Sequence, residues 1–219
     1  NRDLFVENDQ VFVKTIRGRQ KVDVIYRRLD DDFLDPLAFR PDSALGVAGL
    51  MSAYLQKNVV IANAPGTGVA DDKSIYPYVD QMIQYYLGET PILKNVPTYH
   101  LENPDHRKMV FGQMDKMVIK RTNGSGGYGM LIGNSATEAQ MDEFRKAIEA
   151  EPRDFIAQPI INLSSAPCFI DGKFQPRRID LRPFALYGPK GIDIVPGGLT
   201  RVALKEGSLV VNSSQGGGS

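Results

Sequence analysis

Cysteine is nearly absent from this sequence. Cys168 is the only one in 219 residues, which excludes an internal disulfide and a cysteine-based zinc site and fits a reducing compartment. With no histidine partner nearby, it reads as an inert thiol. Histidine is confined to His100 and His106, in a stretch expected to be a connecting loop, too far from any other ligand cluster to argue a metal centre. Neither sign of charge is in excess: 26 Lys and Arg balance 26 Asp and Glu. Nothing in that balance signals a nucleic acid or an anionic membrane, and a small-molecule partner is the expectation. No apolar run nears the roughly 20 residues of a spanning helix, and no signal-peptide pattern opens the chain, so a cytoplasmic location is expected.

What is present is enough to build a core. The chain is 42% apolar and 24% charged, the composition of a globular protein with one large domain or two small ones. Asn1 at the start and "SSQGGGS" at the end lead us to expect a piece of something longer.

"QVFVKTI" (10–16) and "KVDVIYRRL" (21–29) alternate apolar and polar residues around "RGRQ" and read as a hairpin. Apolar spacing predicts a helix over 41–58, capped by Asp42 or Ser43, then a strand and loop in "NVVIANAPGTG". A second helix is predicted over 74–89 with Gly88 at its C-terminal end, and a third over 135–152, where Thr137 and Gln140 have capping-box spacing. Tyr85, Tyr86, Met141 and Phe144 fall on helical faces and are assigned to the core. "DKMVIKR", "GMLIGN", "FIAQPII" and the stretches from "CFIDGKFQ" to "GSLVVN" read as strands, with "DG", "YGPKG" and "KEG" as turns. The fold class is α+β, with mixed and antiparallel sheets and flanking helices.

The most informative stretch is "MVIKRTNGSGGYGMLIG" (117–133). Gly124, Gly126 and Gly129 satisfy G-x-G-x-x-G, yet a dinucleotide loop must open a helix, and a strand follows here. A P-loop fails as well, because no G-K-[ST] closes the glycines. What remains is a strand, a glycine flap and a strand: backbone N–H groups to cover phosphates, and Lys120 on the incoming strand to neutralise them. An apolar strand is a costly place for an ammonium unless it points into a polar cleft. The alternative is a ligand-free glycine hairpin.

A capped helix and a returning strand with Gln158 and Pro159 follow the flap. This order resembles the ATP-grasp fold, in which adenine lies against the hinge after that strand. In that family the Mg²⁺ ligands usually follow the hinge, as R-x-D and then E-x-N, and two segments of this sequence compete for the part. "RRIDLRPF" offers Arg178 and Asp180 with Asn212 downstream; "RRLDDDF" offers Arg28 and Asp30 with Asn63 in "NAPG". The second is closer to the family pattern and precedes the lysine. Together with "KRTNGSGGYGMLIG", "FIAQPI" and "PGGLTRVALKEG", it is similar to the circularly permuted ATP-grasp proteins related to glutathionylspermidine synthetase.

That resemblance implies roles residue by residue. Lys120 and the flap, Gly124, Ser125, Gly126, Gly127, Tyr128 and Gly129, would hold the phosphates of ATP, with Gln158, Pro159 and Ile160 at the adenine. Asp30 and Asn63 would be Mg²⁺ ligands, with Asp31 or Asp32 as substitutes; an extra Asp of "DDD" or Glu206 would stand in for a bridging glutamate. Arg28, Arg182 and Arg201 would meet phosphate or the reacting carboxylate; the alternative for Arg178, Asp180 and Arg182, which share one strand face, is a salt-bridge ladder. Lys94 or Arg107 would supply a further phosphate-binding cation. Ile61 stands where the family has a bridging glutamate, a departure that bears on the number of metals. Residues 1–110 are expected to carry the permuted metal side, and 111–219 the lysine strand, flap, hinge and last strands. The implied activity is ATP- and Mg²⁺-dependent joining of a small-molecule carboxylate to an amine. An ATP-dependent phosphotransferase and a lapsed nucleotide-binding module are the rival readings.

Overall fold

The computed structural model describes residues 3–124 and 129–211. Ser125, Gly126, Gly127 and Tyr128 of the flap, and Asn212, lie outside the described residues. The chain divides into two compact units, Asn1–Asp72 and Lys73–Ser219. That division differs from the motif boundary at 110, because 73–110 supplies elements that pack with the lysine strand.

The first unit begins with an antiparallel meander of β1 (Leu4–Glu7), β2 (Gln10–Thr15) and β3 (Gly18–Lys21). Asn8 and Asp9, both at positive φ, make the tight turn between β1 and β2. The expected hairpin is thus shorter than its sequence pattern: β3 ends at Lys21, and β4 (Val24–Tyr26) leaves to pair in parallel with β5 (Val60–Ala62). Val22 and Ile25, although they continue one alternating run, reach the same apolar cluster, Val11, Val47, Leu50, Ala53, Val59 and Ile61, from different segments.

The helix expected over 41–58 shrinks to α1 (Leu50–Leu55), and neither Asp42 nor Ser43 caps it. The fully buried carboxylate of Asp35 takes that part, accepting from Gly49 N at 3.1 Å and Met51 N at 2.9 Å. Ser43 Oγ instead donates to Phe33 O at 2.8 Å and accepts from Gly46 N at 3.3 Å. A Cβ on Gly46 would lie 2.2 Å from Phe33 O, so only glycine allows this approach. Residues 41–49 are therefore committed to turns that anchor the acidic segment.

In the second unit, α2 (Val79–Leu87) ends at Gly88 in the left-handed region, as its sequence predicts. Tyr85 and Tyr86 are not core, however: they are 82% and 76% exposed. After β6 (Tyr99–His100) comes α3 (Pro104–Phe111), where a loop was expected. Asn103 Oδ1 caps it by accepting from Asp105 N at 2.9 Å and His106 N at 3.2 Å, with Pro104 at the first helical position. The lysine strand β7 (Met117–Arg121) and β8 (Met130–Ile132) flank the flap. Next come α4 (Glu138–Ala150), with the predicted Thr137–Gln140 capping box, and β9 (Phe155–Pro159). Gly133 ends β8 against Met114 O, only 1.7 Å from where a Cβ would sit.

The sheet order is β6-β9-β7-β8, all antiparallel. Its register sorts the side chains. Met117, Ile119, Leu131, Phe155 and Ala157 belong to the core cluster with Met141 and Ile148 of α4, and Phe144 packs against it. Val118, Lys120, Ile156 and Gln158 alternate onto the opposite face, with Met130 opposite Lys120 and His100 opposite Ile156.

The remaining strands are β10 (Ser165–Ile170), β11 (Lys173–Arg182), β12 (Ala185–Gly188), β13 (Gly191–Ile194) and β14 (Leu199–Val202). They form a β10-β11-β14 sheet and a separate β12-β13 hairpin. The "DG" turn is present as Asp171 and Gly172, both at positive φ. The strand expected at "GSLVV" is not formed among the described residues. Ser208 N donates to Lys205 O, and Ser208 Oγ accepts from Val210 N at 3.1 Å, local bonds that compete with a ladder.

Candidate active site

Lys120 is half-buried, and its Nζ donates to Gln158 Oε1 at 2.7 Å. Burial, and then the charge of Lys73, hold its pKa below the ordinary lysine value. Among the described residues no carboxylate pairs with it. Gln158 Nε2 in turn donates to Thr98 Oγ1 at 2.8 Å. The Gln158 side chain, expected at the adenine, is thus held between Lys120 and Thr98. At the hinge, Ile160 N donates to Lys116 O at 3.0 Å and Pro159 has no N–H, so neither offers a backbone donor to a base.

Lys73 is the residue that sequence reasoning missed. Its backbone N donates to Thr122 O at 3.0 Å; its Nζ donates to Thr122 O at 3.2 Å and to Gly124 O. It therefore binds the segment that opens the flap and adds a second positive charge near Lys120. Neither candidate named from the sequence fills this place: Lys94 is exposed, and Arg107 Nη1 donates to Leu101 O at 2.9 Å. Its context, "DDKS", carries no motif; only tertiary placement reveals it. Gly129, at positive φ, closes the flap against the Arg121 side chain.

In the first unit the centre is Arg27, not Arg28. Arg28 is exposed, with no partner among the described residues. Arg27 is buried, and its guanidinium donates to Asn63 O, to Leu29 O at 2.5 Å and to Ala64 O at 2.8 Å. Nη2 also lies 3.4 Å from Thr67 Oγ1 and 2.7 Å from Asp31 Oδ1. The Asp31 approach is an ion pair, not an aligned hydrogen bond, and leaves Oδ1 buried without a donor. Asn63, at positive φ, returns its Nδ2 to Arg27 O at 2.9 Å. Asp31 and Asn63 are thus gathered on one guanidinium. The exposed Asp30 side chain makes no such contact, and Asp32 is also exposed. Among the described residues no three acidic, histidine or cysteine side chains cluster as a metal cage. Ile61 is buried in the β5 core, so a glutamate there would displace packing.

Asp180 collects the C-terminal arginines. Arg182 Nη2 lies 2.9 Å from its Oδ2, and Arg201, opposite Asp180 in the β11-β14 register, donates its backbone N at 3.3 Å. Arg178 is turned elsewhere, to Leu163 O. For Asp180 and Arg182 this is the salt-bridge arrangement; Glu206 is exposed on the turn after β14.

Residues 1–203 match the model of the family described as circularly permuted ATP-grasp type 2. The chain is 55% identical over 218 residues to an uncharacterized protein of Synechocystis sp., covering all of this chain and 45% of that protein. It is 52% identical over 218 residues to an uncharacterized protein of Mycobacterium tuberculosis, again over the whole chain and 40% of the relative. A Frankia alni protein provisionally named a glutamate–cysteine ligase is 42% identical over 99% of this chain, which corresponds to 25% of that protein. The chain thus spans less than half the length of these relatives. With the family match over nearly its entire length, and Lys120, the glycine flap and the Asp31–Asn63 cluster in the expected order, the chain belongs to the circularly permuted ATP-grasp type 2 family.

Proposed function

We propose that this chain carries the nucleotide and metal residues of an ATP- and Mg²⁺-dependent carboxylate–amine ligase. The observation that supports it best is Lys120: a half-buried ammonium whose one hydrogen-bond partner among the described residues is a neutral carbonyl. Such a cation gains from an anion far more than one already paired, and the phosphates of ATP are the anion this family binds. Lys73 adds positive charge to the same end of the flap. Where structural lysines pair with carboxylates, this one is kept for a ligand.

The first unit fits a hard cation in part. Asn63 commits its Nδ2 to the scaffold, which leaves Oδ1 as the ligand atom, and Asp31 is held beside it on Arg27. Two oxygens suit Mg²⁺, which keeps several waters and draws further ligands from phosphates. Asp30, whose exposed side chain has no partner among the described residues, is the other carboxylate ligand in this proposal. The metal would neutralise phosphate charge; the chain's own task is to orient and to exclude water. In the reaction, a substrate carboxylate oxygen attacks the γ-phosphorus and ADP leaves. The amine nitrogen would then attack the acyl carbon, forming the C–N bond as the acyl C–O bond breaks, and the departing phosphate would take the proton released from nitrogen. Arg182 and Arg201 would meet the reacting carboxylate. A cytoplasmic enzyme acting on small molecules is the setting this implies.

Isothermal calorimetry on the full-length protein tests the proposal. Mg²⁺-dependent ATP binding is expected, lost in Lys120→Ala and no longer Mg²⁺-dependent in Asn63→Ala. No binding at millimolar ATP overturns it. The buried Ile61 favours one second reading, a nucleotide-binding module whose ligase chemistry has lapsed; binding without turnover across candidate amines would select it.

A further inference from the structure

A chain of three hydrogen bonds runs behind Lys120, and its direction is set at the far end. Thr98 Oγ1 donates its single proton to Val96 O at 2.9 Å. With that proton committed, Oγ1 can only accept, so the carboxamide of Gln158 must present Nε2 to it, at 2.8 Å. The carbonyl end then has to face the other way, and Oε1 lies 2.7 Å from Lys120 Nζ. A flipped amide would bring two N–H groups against an ammonium and set Oε1 against a hydroxyl with no proton to give.

We infer that Thr98 is a positioning residue: through the Gln158 carboxamide it keeps an acceptor, and only an acceptor, facing Lys120, which holds the ammonium aimed and protonated for a phosphate. No charged group does this work. A carboxylate at Gln158 would pair with the lysine and compete with the ligand, whereas a neutral amide orients it and leaves its charge to the anion. In the β6-β9-β7-β8 sheet Thr98 just precedes the edge strand β6, Gln158 lies on β9 and Lys120 on β7, so a residue at the sheet's edge sets the direction of a side chain two strands away. The aim matters because Lys120 is otherwise pushed toward its neutral form by burial and by Lys73.

The inference rests on the ATP reading for its purpose, but its test does not. Lys120 Nζ is titrated by NMR in the full chain, in wild type, Thr98→Val and Thr98→Ser. Valine keeps the shape and removes the acceptor; serine restores it. The Lys120 midpoint is expected to fall in Thr98→Val and to return in Thr98→Ser, and Mg²⁺–ATP binding to weaken about tenfold in the valine variant alone, the size of one lost hydrogen bond to a charged group. An unchanged Lys120 midpoint in a folded Thr98→Val overturns the inference even if ATP binds. If the midpoint moves and ATP fails to bind wild type, the positioning stands and the nucleotide reading falls. Should Thr98→Val not fold, Thr98→Ala carries the same comparison with a smaller side chain.

Discussion

The two units each bury a cation, and they treat it in opposite ways. Arg27 is surrounded: three main-chain carbonyls, the Thr67 hydroxyl and the Asp31 carboxylate lie around one guanidinium. Among the described residues Lys120 has a single neutral acceptor and a like charge nearby. Both lie at the end of a short apolar strand, so local sequence does not separate them. Partner count among the described residues does: Arg27 is satisfied by its scaffold, whereas Lys120 is under-satisfied, which is the feature behind its proposed role.

The sharpest way to break this contrast is Arg27→Met. Methionine fills much of the volume but leaves the carbonyls of Leu29, Asn63 and Ala64 without their donor and the half-buried Asp31 carboxylate without its counter-charge. Breaking a buried pair from one side costs about 3–5 kcal/mol, and urea denaturation of the full chain should show a loss of that size. A loss under about 1 kcal/mol would mean that the guanidinium is solvated and that Arg27 does not organise Asp31 and Asn63.

Lys120→Met should invert the outcome. It removes a charge that is desolvated and repelled, so stability should stay within about 1 kcal/mol of wild type, while nucleotide binding falls by about 100-fold or more, the loss expected for charge-assisted bonds to phosphate. Calorimetry and denaturation on the same preparation separate the two effects. Large destabilisation with little change in binding would move Lys120 into the same class as Arg27.

The strands that flank the glycines and the half-buried place of Lys120 were legible in the sequence because each rests on local chemistry: an apolar run and a misplaced charge. The capping box of α4 and the Gly88 stop were legible for the same reason. What sequence did not reveal depends on distant partners. Arg27 and Arg28 are neighbours with identical side chains, and only the fold decides that one is buried among carbonyls from residues 29, 63 and 64. The start of α1 was misplaced because its capping carboxylate, Asp35, sits far upstream of the residues it caps. Lys73 carried no local signal at all; it gains meaning from Thr122 and Gly124. Asn103-Pro104-Asp105, by contrast, is a local helix start that was there to be read.

Lys73 also provides the finest test of why Lys120 is under-satisfied. Burial lowers the Lys120 pKa first, and the Lys73 charge lowers it further. Between the lowered folded value and the ordinary lysine value, the unfolded chain holds the extra proton, so Lys120 adds stability as pH rises through that window. Phosphate binding has the opposite sign, because it needs the protonated form and weakens as pH climbs past the folded value. Lys73→Gln keeps a donor for Thr122 O and Gly124 O but removes the like charge, so the Lys120 midpoint should move up toward the ordinary lysine value. The alkaline limb of Mg²⁺–ATP binding should move up with it, measured by calorimetry across alkaline buffers. If binding and midpoint instead stay where they are, burial alone sets the Lys120 titration, and Lys73 acts only as a tether on the flap.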